Sequence, residues 1–104
     1  MIPVAPRRHK PVVYYVTGKD LGVLKIGTTI NMGARFKRMK YTSPGAGIPI
    51  LMGWEYGGEG LENRRHAQFS GSKVRSDWFA IDDALKSHLS RIRKGDELPD
   101  GEES

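Results

Sequence analysis

At 104 residues the chain has room for one domain around one modest core, and its lack of cysteine excludes disulfides and thiolate zinc sites and suits a reducing compartment. Its longest apolar stretch, Val12, Val13, Tyr14, Tyr15, Val16, is too short to cross a membrane or to form the apolar part of a secretory signal, so a soluble cytoplasmic protein is expected. The net charge of +5 divides unevenly: residues before 95 carry 17 basic against seven acidic side chains, +10, and the tail of Asp96, Glu97, Asp100, Glu102 and Glu103 carries −5.

A body of that charge attracts polyanions, of which nucleic acid is the commonest inside cells. DNA, RNA and anionic lipid all meet the charge criterion. No stretch sets a strong apolar face against a Lys-rich one, so a membrane partner is not expected.

Residues 1–11, with three prolines and the cluster Arg7, Arg8, His9, Lys10, read as an irregular basic arm, either a solvated tail or an arm that contacts a nucleic-acid strand. The β-branched and aromatic residues of 12–17 predict a strand; Gly18, Lys19, Asp20, Leu21 and Gly22 supply turn chemistry, and 23–27 return as the second arm of a hairpin. Asn31 is a good N-cap, and Met32, Phe36 and Met39 recur at i, i+4 and i+7, which predicts a basic first helix over about 32–40. Pro44, Gly45 and Gly47 mark the loop of 41–47. Residues 49–56 read as a third strand, weakened in its middle by Gly53.

After Gly57, Gly58 and Gly60, residues 61–69 predict a second helix of about two turns, with Glu62, His66 and Phe69 on one face. Trp78, Phe79 and Ile81 are expected core anchors. Asp82 or Asp83 can cap a third helix whose Leu85, Leu89, Ile92 stripe faces the core. The expected organisation is a basic arm over 1–11, one α+β domain over 12–93 with a three-stranded antiparallel sheet flanked by about three short helices, and a disordered acidic tail over 94–104. The sequence holds no internal repeat.

Several short motifs then fall in a telling order. Val12, Val13, Tyr14, followed by Val16, and Lys25, Ile26, Gly27 resemble the two tripeptides on paired strands that open the GIY-YIG nuclease superfamily. Arg35, ten residues after Lys25, stands where that superfamily carries an arginine on its first helix. Glu62, His66, Phe69 and then Asp77, Trp78, Phe79 match the glutamate, histidine, phenylalanine series and the closing acid-Trp-Phe of a short phage-encoded branch, in which the second tripeptide is KIG. Lys25 in place of the superfamily's tyrosine is the main departure. The resemblance spans residues 12–81 and points to a phage or bacterial source, with the cytoplasm of a bacterium or of a phage-infected host as the compartment.

The resemblance implies an endonuclease that hydrolyses phosphodiester bonds, of DNA before RNA, at one site with one Mg²⁺ or Mn²⁺ ion. Hydrolysis needs an activated water, neutralisation of the phosphate and stabilisation of the leaving oxygen. Glu62 is the expected metal ligand, with Glu55 and Glu59 as competitors that lack the following histidine. Arg35 offers a planar fork to phosphate oxygens, and Tyr14 is the candidate proton acceptor, which requires its pKa to fall. Lys25 can neutralise the pentavalent phosphate or act as the base. His66 can orient the attacking water, contact phosphate or cap the core. Lys37, Arg38 and Lys40 extend the basic face, and Tyr15, on the opposite side of its strand from Tyr14, serves packing or substrate contact.

A catalytically silent nucleic-acid-binding module of the same fold is the alternative, and the Lys25 departure and the single carboxylate speak for it. Pairing into a homodimer would suit a single-site nuclease that cuts both strands. The acidic tail can contact a protein partner or occupy the basic groove itself.

Overall fold

A computed structural model describes residues 10–18, 22–42 and 49–92, with residues 40–42 by backbone alone. The expected basic arm, apart from Lys10 and Pro11, the acidic tail and most of the loop after the first helix lie outside the described residues. The order is β1 (Val12–Thr17), β2 (Val23–Thr29), α1 (Met32–Thr42), β3 (Ile50–Tyr56), α2 (Glu59–Gln68), a 3₁₀ turn (Ser70–Ser72), β4 (Lys73–Arg75), β5 (Trp78–Ala80) and α3 (Asp83–Leu89). The architecture is α+β. The sheet has five strands in the order β3-β1-β2-β5-β4, all pairs antiparallel, where three strands were expected. The two additional strands are three residues each, too short to show the alternation by which strands are recognised.

β1 is an interior strand, between β3 and β2, and all six of its residues are buried. A strand covered on both faces reads as a continuous apolar run, and VVYYVT is such a run. Val13 and Tyr15 face a cluster with Leu24, Ile26, Phe69, Phe79, Leu85 and Leu89, against which Leu61 and Ile92 also pack, so α2 and α3 cover that side. Val12, Tyr14 and Val16 face a second cluster with Met32 and Trp54, joined by Phe36 and Met39 of α1. Trp78, an expected core anchor, belongs to neither cluster, whereas Phe79 is fully buried and Ile81 packs against the first.

The pairing of β1 with β3 shifts between Tyr15 and Val16, so that Tyr15 opposes Gly53 and Val16 opposes Leu51. Met52 is thus the extra residue of a bulge, and Gly53 marks it. Without that insertion Leu51 would turn to the opposite face, since the side-chain period of a strand is two.

Asn31 caps α1 as expected, its Oδ1 accepting from the Ala34 N–H at 3.0 Å. Of the two candidates for α3, Asp82 is the cap, accepting from the Leu85 N–H at 3.0 Å. Gly57, before α2, has φ 153°, and a Cβ there would meet the Leu61 side chain. Among the described residues no helix is long and apolar enough to cross a membrane.

The lengths of β2 and β5 are unequal, and the difference positions everything that follows. β5 pairs with β2 only from Val23 to Lys25. Beyond that, the Ile26 N–H donates to the Asp77 carbonyl at 3.0 Å, and the Ile26 carbonyl accepts from His66 Nε2 of α2 at 2.9 Å. The far half of β2 is therefore flanked by a turn and a helix instead of a strand.

Candidate active site

Tyr14 opposes Gly27 in the β1–β2 register. Its side chain crosses that glycine so closely that a Cβ built there would stand 2.4 Å from the Tyr14 Oη. No side chain larger than hydrogen fits beneath the ring, which gives the glycine of the second tripeptide its physical reason. Arg35, projected from α1, donates from Nη1 to the Tyr14 Oη at 3.3 Å. The spacing that singled out Tyr14, Gly27 and Arg35 thus brings them together.

Glu62 and Asp77 act on the same hydroxyl from the open flank of β2. Burial raises the Tyr14 pKa above its ordinary value; the Arg35 charge and hydrogen bond oppose this, and the negative charges of Glu62 and Asp77 add to it. The expected acidification does not come from Arg35 by itself: Tyr14 is 1% exposed, and desolvation outweighs the cation. In this arrangement Tyr14 accepts a hydrogen bond from Arg35, and burial favours its neutral form.

Lys25 sits two residues before Gly27 and shares its face of the sheet, roughly 7 Å along the strand by the rise per residue. It is half-buried and opposes Trp78 on β5. Lys37 and Arg38 are exposed on α1, turned away from the Met32, Phe36, Met39 stripe. The side chain of Lys40 lies outside the described residues.

His66 follows Glu62 by one turn. Its Nε2 stands 2.9 Å from the Ile26 carbonyl and 3.7 Å from Glu62 Oε2, and its ring meets Phe79 edge-on with centroids 5.0 Å apart. A carbonyl can only accept, so Nε2 carries a proton and points at the backbone. The contact ties α2 to the edge of β2, one turn beyond Glu62.

Tyr15 is corrected more sharply. It is wholly buried, and its hydroxyl donates to Glu55 Oε2 at 2.5 Å with His88 Nε2 at 2.8 Å, so it cannot touch a nucleic acid. Glu55 is also held by Arg65, from Nε at 2.9 Å and Nη2 at 2.9 Å, and by His88 Nε2 at 3.0 Å. With both carboxylate oxygens engaged on the α2/α3 side, Glu55 no longer competes with Glu62 as a metal ligand. Burial alone would raise the Glu55 pKa, but the hydrogen bonds from Arg65, Tyr15 and His88 outweigh it and the net shift is downward. Burial holds the His88 pKa below its usual value. Burial, reinforced by Glu55, pushes that of Tyr15 far up. Four residues from β1, β3, α2 and α3 form this knot, and sequence separations of up to 73 leave no local signal by which to find it.

Among the described residues no group of three or more His, Asp or Glu side chains converges closely enough to hold a metal ion. Mg²⁺ and Mn²⁺ sites that act on phosphates use one or two carboxylates and complete themselves with water and substrate oxygens. Glu62, partly exposed and within electrostatic reach of the Tyr14 hydroxyl, could supply one such carboxylate. Comparisons with protein-family models, with curated proteins and with solved structures gave no match.

Proposed function

We propose that the chain is a metal-dependent endonuclease of GIY-YIG type that hydrolyses phosphodiester bonds of DNA at the site formed by Tyr14, Lys25, Arg35 and Glu62. The observation that supports this reading is the hydrogen bond from Arg35 Nη1 to the Tyr14 Oη at 3.3 Å, made over Gly27, with Glu62 within electrostatic reach of that hydroxyl. It joins, at one point in space, motifs that the resemblance groups only by order and spacing.

In this site Arg35, held at one end by Tyr14, presents its remaining N–H groups to the non-bridging phosphate oxygens. Lys25 adds a second positive charge on the same face, and Glu62 supplies the carboxylate ligand. Glu62 would hold an Mg²⁺ or Mn²⁺ ion, which would supply neutralisation of phosphate charge and activation of water. Water adds to phosphorus and one P–O ester bond breaks; the water's proton passes to solvent, and the leaving oxygen takes one from solvent. Tyr14 fixes Arg35 by accepting its Nη1 N–H.

Incubation of the protein with supercoiled plasmid and Mg²⁺ or Mn²⁺ tests the reading: nicking or cutting is expected, and its loss in Glu62→Ala and Arg35→Ala. The second reading, a silent binding module, is favoured by the burial of the Tyr14 hydroxyl and its raised pKa. Salt-dependent DNA binding with intact plasmid across metals and pH would establish it in place of the first.

A further inference from the structure

Among the described residues, Met32, Phe36 and Met39 of α1 meet Val12, Tyr14, Val16 and Trp54 on the Tyr14 face of the sheet, over β1 and β3. The rest of that face, on β2, β5 and β4, carries a row fixed by the strand register: Lys25 opposes Trp78, and Trp78 opposes Arg75. Lys25 and Trp78 are half-buried, Arg75 is exposed, and no residue of the row belongs to either core cluster. An aromatic ring stands between two cations, on the face that carries Tyr14 and Arg35. A structural tryptophan would be enclosed by apolar neighbours, as Trp54 is at 0% exposure.

We propose that the Lys25, Trp78, Arg75 row is a platform for an unpaired nucleotide of a DNA strand, whose base stacks on Trp78 while the flanking phosphates engage Lys25 and Arg75. The inference rests on the endonuclease reading for its choice of DNA, and it deepens that reading by naming the substrate as DNA with single-stranded character next to the cut. A ring face can stack only on a base that has left its own stack, so this row has nothing to offer an intact duplex. The positive charge of the body, +10 before residue 95, complements the phosphates on either side of that base. Lys25 belongs to both the row and the site, which sets the stacked base next to the phosphate held by Arg35.

The test uses the full chain with EDTA present, so that binding is read without cleavage. Trp54 is fully buried, and quenching of tryptophan emission therefore reports Trp78. A mixed-sequence single-stranded DNA oligonucleotide is expected to quench that emission, and the same strand annealed to its complement is not. Trp78→Ala should weaken single-strand binding about ten-fold or more, Trp78→Phe should restore most of the affinity without quenching, and Arg75→Ala should lower the salt dependence of binding by about one ion. Should Trp78→Ala fail to fold by circular dichroism, the wild-type quench and the affinity of Trp78→Phe decide.

Equal quenching by duplex and single strand, no quenching by either, or unchanged affinity in Trp78→Ala would overturn the proposal. Binding to RNA of the same sequence about ten-fold tighter than to DNA would overturn the choice of DNA. Stacking on Trp78 in a protein that cleaves nothing would leave the platform standing and reject the hydrolytic reading; cleavage of duplex unimpaired in Trp78→Ala would do the reverse.

Discussion

Tyr14 and Gly27 occupy one another's space: the phenol ring lies where a side chain at residue 27 would begin, with Oη, Cζ and Cε1 at 2.4, 2.5 and 3.0 Å from a Cβ placed there. Two of the resemblance's motif positions are thus a single steric unit. Their coupling is independent of any chemistry the site performs.

Gly27→Ala is expected to destabilise the fold by about 1–3 kcal/mol, the usual cost of overpacking a closed site, because the ring has to move and take the Arg35 contact with it. In a Tyr14→Leu background the same change should cost less than about 1 kcal/mol, since the atoms it strikes are gone. Urea unfolding of the four proteins of this double-mutant cycle measures the coupling. Additive effects would show that the ring and the glycine do not conflict.

Tyr14→Phe separates a positioning role from a base role. Loss of a general base lowers turnover roughly 10²–10⁴-fold and removes the limb of the rate profile that the base controls. With the hydroxyl buried and its pKa raised, we expect a fall of only about ten-fold, from loosening of Arg35, with the shape of the profile unchanged. Rates measured across pH for the wild type and the variant distinguish the two.

The knot around Glu55 makes the fold acid-sensitive in two steps. Both His88 and Glu55 have folded pKa values below their ordinary 6.5 and 4.5, so in each case the unfolded chain binds the proton more readily. Stability is therefore full above about pH 6.5, falls as His88 begins to be protonated in the unfolded state, and falls again below about pH 4.5 as Glu55 follows. His88→Leu should remove the upper step and leave the lower. Chemical denaturation at a series of pH values measures both, and a midpoint independent of pH between 7 and 5 in the wild type would contradict the assignment.

Metal affinity should depend on nucleic acid. With one carboxylate at the site, Mg²⁺ or Mn²⁺ alone is expected to leave the melting temperature unchanged within error, while the ion added together with an oligonucleotide raises it beyond the effect of the oligonucleotide alone. A shift with metal alone that Glu62→Ala abolishes would mean that a second ligand completes the site.

The sequence disclosed most of this arrangement through local signals. Asn31 and Asp82 cap helices because short polar side chains reach back to free backbone N–H groups, and such caps are visible residue by residue. The hairpin and the three helices follow from periodicity. What stayed hidden was non-local or short: β4 and β5 hold three residues each, and the Tyr15, Glu55, Arg65, His88 knot joins four elements. Alternation rightly set Tyr15 opposite Tyr14. That it is sealed from solvent follows from the interior place of β1, covered on both faces, which its unbroken VVYYVT announces. Asp77 drew attention as part of a motif, while its influence on the Tyr14 hydroxyl emerges only once β5 is laid beside β2.

The early parting of β5 from β2 carries a consequence for how such a protein can be altered. The proposed site borders rungs that the ladder does not build, so strand length sets the space beside Ile26 before any side chain is chosen. Lengthening β5 at its Asp77 end by two residues able to pair with Ile26 and Thr28 would cement that gap and shut out a phosphate with every motif residue still in place. A chain redesigned in this way would gain sheet and lose the proposed cleavage.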